Sequence, residues 1–529
     1  MSLRISVKVF LPVIAGVALT LVFLLFAGHE GGAGAAAANG ASIRYVAVTG
    51  NDSGNDCTGS SAPCGTIQRA VDQAASGDEV RVAGGDYTSS SIVTHTDGFT
   101  YTQVVFIAES LTLRGGFSTA NWNDSNLIKN PTVINAGGAG RGITIIDTND
   151  NPVAVEAFKI TGGDYTDLGN TLGGGPNDVC RSVDDCGGGM FVKNSAAHLK
   201  NLVIEDNNAG SMDSQGGGLY LWSTHAVTID SVTLSHNIAD NGGGMVVTSL
   251  YFPLTITGST FNNNVAENTA GGLYLRSNIQ HLVTVENCQF FDNIANEGDG
   301  GGINARLAAN SLLLKLDKLL MEGNQADEHG FAIYLDAAGN VTPTATLSNI
   351  ILAGNKRVTG TVDEPEDAVI SVAPNFTNLV VNMQHITAAD NPVASFLYAE
   401  PAFDPGEYVT VTVSNTLLSG FTYGFTAAEE DDTQATVHHT NTLFYNVDYM
   451  HNTLDGTPVF TATNPIYDDP QLKSNYHLSQ GSGAIDVGID TGLLDDIDGN
   501  PRPLGDHPDI GADEYFEIFL YLPMLSKGG

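Results

Sequence analysis

The sequence predicts an all-β chain wound into a parallel β-helix of three-strand coils, and two observations predict it. First, one pattern recurs as HLKNLVIEDN (198–207), TIDSVTLSHN (228–237), TITGSTFNNN (255–264) and TVENCQFFDN (284–293). Each is followed by a loop and a Gly-rich word: GGGLYL (216–221), GGGMVV (242–247), GGLYL (271–275) and GGGINA (300–305). Second, the frame continues through Leu316, Met321, Asn324 and Leu347, Leu352, Asn355, with copies beginning near Met383 and Val413, at a mean step of about 31 residues. Self-similarity at this period means a solenoid. Each repeat holds three short apolar runs of period two bounded by Asn, Ser, Asp and Gly, which reads as three strands and three turns. Helical repeat patterns are absent.

The chain has 529 residues, 61 Gly, and 21 basic against 59 acidic side chains. A solenoid absorbs that length as one unit. The acidity excludes nucleic acid, whose binding rests on cationic surface. It suits the solubility of an extracellular protein; weak multi-site calcium binding is the sharper alternative, and no other cofactor is implied.

Residues 1–41 read as a signal peptide. Arg4 and Lys8 form a positive start, 9–26 is apolar, and small residues at 33–38 suit cleavage. An uncleaved anchor is the alternative, because the 18-residue apolar run sits at the margin for a spanning helix. No later stretch is long enough to cross as a helix. The expectation is an exported monomer, extracellular or attached to a bacterial envelope, with no membrane span after cleavage.

Residues 42–140 read as an N-terminal cap and first coils. Ile67, Ala70, Val71 and Ala74 give one apolar helical face, with Thr66 placed to cap it and Gly77 to end it. Such a helix covers the first layer of a solenoid. Cys57 with Cys64, and Cys180 with Cys186, bracket short loops and predict two disulfides in an oxidising compartment. Cys288 is odd and predicts a small buried apolar side chain. Residues 141–445 are the central repeats, interrupted by an insertion at 164–186, where a rigid scaffold could carry a functional loop. Residues 446–515 form the last coils and a cap, and 516–529 an apolar tail.

YVAVTGND (45–52), TIQRAVD (66–72) and GDEVRVAGGDY (77–87) resemble the N-terminal region of the pectate-lyase-like right-handed β-helix superfamily. The middle is similar to generic β-helix repeats and to the repeats of polymorphic outer membrane proteins. GAIDVG (483–488), DIDGNPRP (496–503) and DIGADEY (509–515) resemble the C-terminal region of choice-of-anchor Q domain β-helix proteins. The resemblance implies a right-handed coil and a surface location, and leaves the chemistry open.

In the pectate-lyase-like fold, ligands lie across the strand that follows the long loop. With Leu219, Leu221, Leu273 and Leu275 inward, alternation sends out a stripe: Phe191 and Lys193, Tyr220 and Trp222, Val246 and Thr248, Tyr274 and Arg276, Asn304 and Arg306, Tyr334 and Asp336. Aromatic faces stack sugar rings and cations pair with uronate or sulfate. Phe191, Lys193, Tyr220, Trp222, Tyr274, Asn304 and Tyr334 are therefore the expected contacts for a polysaccharide or cell-surface glycan. The plain alternative is that aromatics and Thr simply favour strands.

A lyase would need a base and a cation beside a uronate carboxylate. Arg276 and Arg306 are the candidate catalytic residues, and Asp213, Asp240 and Asp299 the candidate metal ligands. A hydrolase would need clustered carboxylates; Asp184 with Asp185 is the one tempting pair. DEHG (327–330) is similar to a hydrolase His-Gly word without its companions. DIDGN (496–500) fails as an EF-hand, lacking Gly and Glu at the required places. The Asn residues at 207, 237, 264, 293, 324 and 355 predict a ladder of side-chain amides bonded coil to coil. The balance favours a binding protein, with a polysaccharide lyase as the alternative.

Overall fold

The structure, a computed structural model, describes residues 41–168, 185–210, 213–222, 225–248, 252–276, 281–308, 313–339, 342–360, 364–375, 377–401, 406–429 and 433–516. The segment up to residue 40, where a signal peptide is expected, Cys180, Asp184 and the tail from 517 lie outside these residues. Among the described residues no helix is long and apolar enough to cross a membrane.

The chain from Ala41 onward is a right-handed parallel β-helix. Its repeat is visible as inward rows in which each residue pairs with its counterpart one coil away. One row runs Arg44, Val80, Leu113, Val155, Leu199, Ile229, Ile256, Val285, Leu316, Leu347, Met383, Val413, His439 and Ala462. A second passes through Ile204, Leu234, Phe261, Phe290, Met321 and Leu352. A third passes through Met190, Leu219, Met245, Leu273, Ile303 and Ile333. Period-two alternation closes these rows on one another, because every second side chain must leave water. Phe261 and Phe290 stack inside, centroids 4.6 Å apart and 3° from parallel. Cys288 is buried among them as a free thiol, its Sγ donating to Glu286 O, and burial pushes it up to about 12.

The helix α1 (Ile67–Gln73) closes the N-terminal end, with Ile67, Ala70 and Val71 buried. Thr66 Oγ1 accepts from Arg69 N at 3.2 Å. The helix ends before Gly77, which turns three residues after the C-cap at Ala74 with φ +90°. Cys57 and Cys64 are bridged. Cys186 is also disulfide-bonded.

The amides of Asn207, Asn237, Asn264, Asn293, Asn324 and Asn355 each donate Nδ2 to the next Oδ1, at 2.9–3.0 Å, and the row continues to Asn391. Each Oδ1 from Asn237 onward also accepts the preceding Asn's backbone N–H, so a buried turn is satisfied coil by coil. This turn explains the Gly-rich words. Gly242 adopts φ +61°, and a Cβ on Gly243 would meet Val265 O at 2.4 Å. Only glycine fits so close an approach.

Three features depart from a simple three-strand coil. A fourth short ladder, Ile238–Asn241, Val265–Thr269, Ile294–Ala295, Gln325–Ala326 and Lys356–Arg357, follows the Asn turn. An antiparallel hairpin joins Ser91–Thr94 to Thr100–Ile107; its outer part lies over the outside of the coil, while Gln103–Ile107 enters the coil and pairs in parallel with Arg141–Ile145. Finally, the segment from Val487 to Asp495 is not a coil but a strap along one corner. Asn441 Nδ2 donates to Val487 O at 2.7 Å, and Asn415 makes two bonds to the Ile489 backbone, at 2.7 and 2.9 Å. His385 Nε2 meets Thr491 Oγ1 at 3.0 Å, and Asn349 Nδ2 donates to Asp495 O at 3.2 Å.

Candidate functional site

The outward row beside Leu219 runs Phe191, Tyr220, Val246, Tyr274, Asn304, Tyr334, Ser371 and Tyr398. Lys193, Trp222 and Thr248 register in the next outward row, as do Arg306 and Asp336. Neighbours stand about 4.8 Å apart, the inter-strand spacing.

The two halves of this stripe have different fates. Phe191 is 4% exposed and Tyr220 0%, so neither presents a ring face to a ligand. They belong to a second apolar core outside the coil, with Tyr101 and Phe106 of the hairpin and with Cys186. Phe191 stacks on Tyr220 at 5.7 Å, and the buried Arg141 guanidinium lies 4.6 Å from Phe191 and 3.3 Å from Tyr165. Lys193 is engaged too: Nζ lies 3.0 Å from Asp97, between the Phe99 and Trp222 rings at 5.2 and 5.3 Å. The expectation that the Phe191 and Tyr220 rings face a glycan is therefore corrected by their burial, and Lys193 is tied to Asp97. Residues of a hairpin remote in sequence pack on Phe191 and Lys193, through Tyr101, Asp97 and Phe99, since a continuous aromatic stripe costs free energy when left in water. Trp222 is partly buried at the edge of the same cluster.

From Tyr274 onward the face is partly covered, with Ser371 and Tyr398 buried. Tyr274, Arg276 and Tyr334 are partly exposed, whereas Asn304 is nearly buried. Arg306 Nε lies 3.3 Å from the buried Asp336 carboxylate, which also accepts from Asn375 N at 3.0 Å. Burial pushes the Asp336 carboxyl up, and the Arg306 charge opposes the shift. Burial also raises the Tyr274 phenol, against the pull of Arg276 and Arg306. The Tyr334 phenol is raised by burial and then by the charges of Asp299, Asp336, Glu400 and Glu328. These shared influences define one electrostatic patch.

The three candidate metal ligands do not converge. Asp240 is buried, accepting Asp213 N at 3.0 Å and Asn268 Nδ2 at 2.8 Å, which makes Asp213 and Asp240 partners in a turn. Asp299 instead joins two residues from the next coil, Glu328 and His329. Asp299 Oδ1 accepts the His329 backbone N–H at 2.9 Å and lies 3.2 Å from its Nδ1. This bond raises the imidazole's pKa, against burial. The His329 ring stacks on Tyr398 at 6.1 Å. Glu328, His329, Tyr398 and Glu400 were not among the expected site residues. A signal existed: Asp299 and His329 each precede a left-handed glycine, Gly300 and Gly330, so both hold one column of the repeat.

Fold and face together define a class, a parallel β-helix with a mixed aromatic, cationic and carboxylate patch on one outward sheet. No family model matches the chain, and no curated protein sequence matches it. Among solved structures it is similar in fold to pectate lyase Pel9A, with TM-score 0.43 and 14% identity over 90% of this chain and 97% of that one. It is also similar to XylC in complex with xylose, with TM-score 0.39 and 10% identity over 82% and 87% of the two chains. A third likeness is to the GH136 lacto-N-biosidase from Eubacterium ramulus, with TM-score 0.30 and 12% identity over 80% and 67%.

Proposed function

We propose that the chain is an exported, cell-surface β-helix protein that binds a glycan across the partly exposed stretch of its outward stripe from Tyr274 to Tyr334. The observation that carries this reading is the adjacency of Tyr274, Asn304 and Tyr334 on consecutive coils, beside Arg276 and Arg306. Aromatic rings supply apolar area for a pyranose face, and the amide and guanidinium groups supply donors for hydroxyl and carboxylate oxygens. Export is supported by the Cys57–Cys64 bridge and by the N-terminal address in the sequence. The C-terminal resemblance to choice-of-anchor Q proteins supports retention at the surface.

The test is glycan pull-down and titration with the mature chain. Tyr274→Ala and Tyr334→Ala should abolish binding while the melting curve stays two-state; Tyr220→Phe should leave it unchanged. Binding that survives loss of both tyrosines would sink the reading. A second reading, β-elimination on an acidic glycan, is favoured by the Asp299–His329 pair, whose Asp299 lies on the coil that carries Arg306. Its test is ultraviolet detection of unsaturated uronate products, with an Arg276→Ala/Arg306→Ala control.

A further inference from the structure

We propose that Asp299, Glu328 and His329 form a binding site for a divalent transition ion of the zinc class. One carboxylate oxygen of each acid and a ring nitrogen of His329 lie within 4.8 Å of one another. In a tetrahedral site, metal–ligand bonds of about 2.0–2.2 Å hold two donors about 3.4 Å apart. Closure onto an ion therefore asks the donors to approach by up to about 1.4 Å, within reach of side-chain rotation.

The scaffold presents these groups rigidly. Gly300 N donates to His329 O at 3.0 Å, tying the two coils at the point where Asp299 and His329 leave them. The Tyr398 ring lies against the imidazole face, and the Asp299–His329 bond would give way to the ion when both groups turn towards it.

The local charge also calls for a cation. Nearby guanidinium groups are engaged elsewhere: Arg306 with Asp336, and Arg357 with Asp327 and Asp367. Among the described residues, the ion pair found for Asp299 is with His329 itself. A different cluster, His95, Asp97 and Asp147, shows the contrast, because the Lys193 ammonium already sits 3.0 Å from Asp97. The donor set selects the ion. Calcium takes about six to eight oxygen ligands, whereas imidazole with carboxylates suits zinc and its neighbours. The ion would stand beside Tyr334 and could accept a glycan oxygen in an open position. That role rests on the proposed function; the metal site itself does not.

The experiment is calorimetric titration of the mature chain with zinc chloride and, separately, calcium chloride, without glycan. Zinc should bind saturably, and Asp299→Asn, Glu328→Gln and His329→Ala should each weaken one zinc equivalent by at least about tenfold. Glu328 is exposed, so its substitution tests the site without threatening the coil. Absence of saturable zinc binding overturns the proposal. So does a zinc isotherm unchanged by the three substitutions, which would assign the ion to another cluster, and so does tighter binding of calcium than of zinc. Loss of glycan binding by Tyr334→Ala with zinc binding intact separates the two readings.

Discussion

Lys318 Nζ lies 2.7 Å from Asp495, a residue 177 positions later in the chain. This ion pair is the far end of the strap, which returns from the C-terminal end of the coil stack and reads one corner residue per coil. Asn441, Asn415, His385, Asn349 and Lys318 all adopt φ between 48° and 55°. The left-handed corner points each side chain outward, where it can bond the strap.

Asn415→Ala removes both bonds to the Ile489 backbone and leaves buried groups unpaired, a loss of about 1–3 kcal/mol. Lys318→Ala breaks only a partly exposed ion pair, worth about 0–1 kcal/mol. Hydrogen exchange across 485–496 should therefore quicken much more in the first variant. Equal effects would mean that the strap is held elsewhere.

Asn264→Ala interrupts the amide ladder, removing bonds from Asn237 and to Asn293 and Leu234 O. Chemical denaturation should show a loss of about 1–3 kcal/mol, with exchange quickened in the coils on both sides. An unchanged midpoint would dismiss the ladder as a stabilising feature.

Burial is the main reason that the Asp509 carboxyl is pushed up to about 7. A carboxyl raised in the folded state holds its proton more tightly there than in the unfolded chain, where its value is about 4. Its stabilising contribution is full below about pH 4 and is lost as pH rises through about 7. Asp509→Asn should flatten that part of the stability profile, as measured by melting temperature against pH.

His439 and His451 show the opposite sign at the last coil. Their Nε2 atoms lie 2.9 Å apart, and burial lowers His439 to about 4. Stability from the neutral ring is present above the unfolded value of about 6.5 and is lost as pH falls towards about 4. His439→Leu should suppress acid-induced exchange in 449–463. No change from wild type at pH 5 would contradict this account.

Much of the fold was legible because a solenoid repeats its constraints. Leu199, Ile229, Ile256, Val285, Leu316, Leu347, Met383 and Val413 stand in one structural row because each coil must bury the same position against its neighbours. Thr66 at the head of α1 was legible for a local reason, the side-chain bond to a free N–H. The site was legible only in part. Alternation placed Tyr274, Asn304 and Tyr334 outward in one row, but it could not show what lies over that row.

The sequence by itself determined the coil, the rows that face inward and the turn asparagines, since these follow from periodicity and from amides that repeat at one position. Tertiary structure alone decided that the 91–107 hairpin joins Phe191 and Tyr220 in one buried apolar cluster, and that Asp299 meets His329 rather than Asp213 or Asp240. It alone laid the strap from Val487 to Asp495 along the corner. The physical reason is range. Strand alternation and turn chemistry act over a few residues and repeat, whereas a covering hairpin, a cross-coil pair and a returning strap depend on where distant segments come to rest.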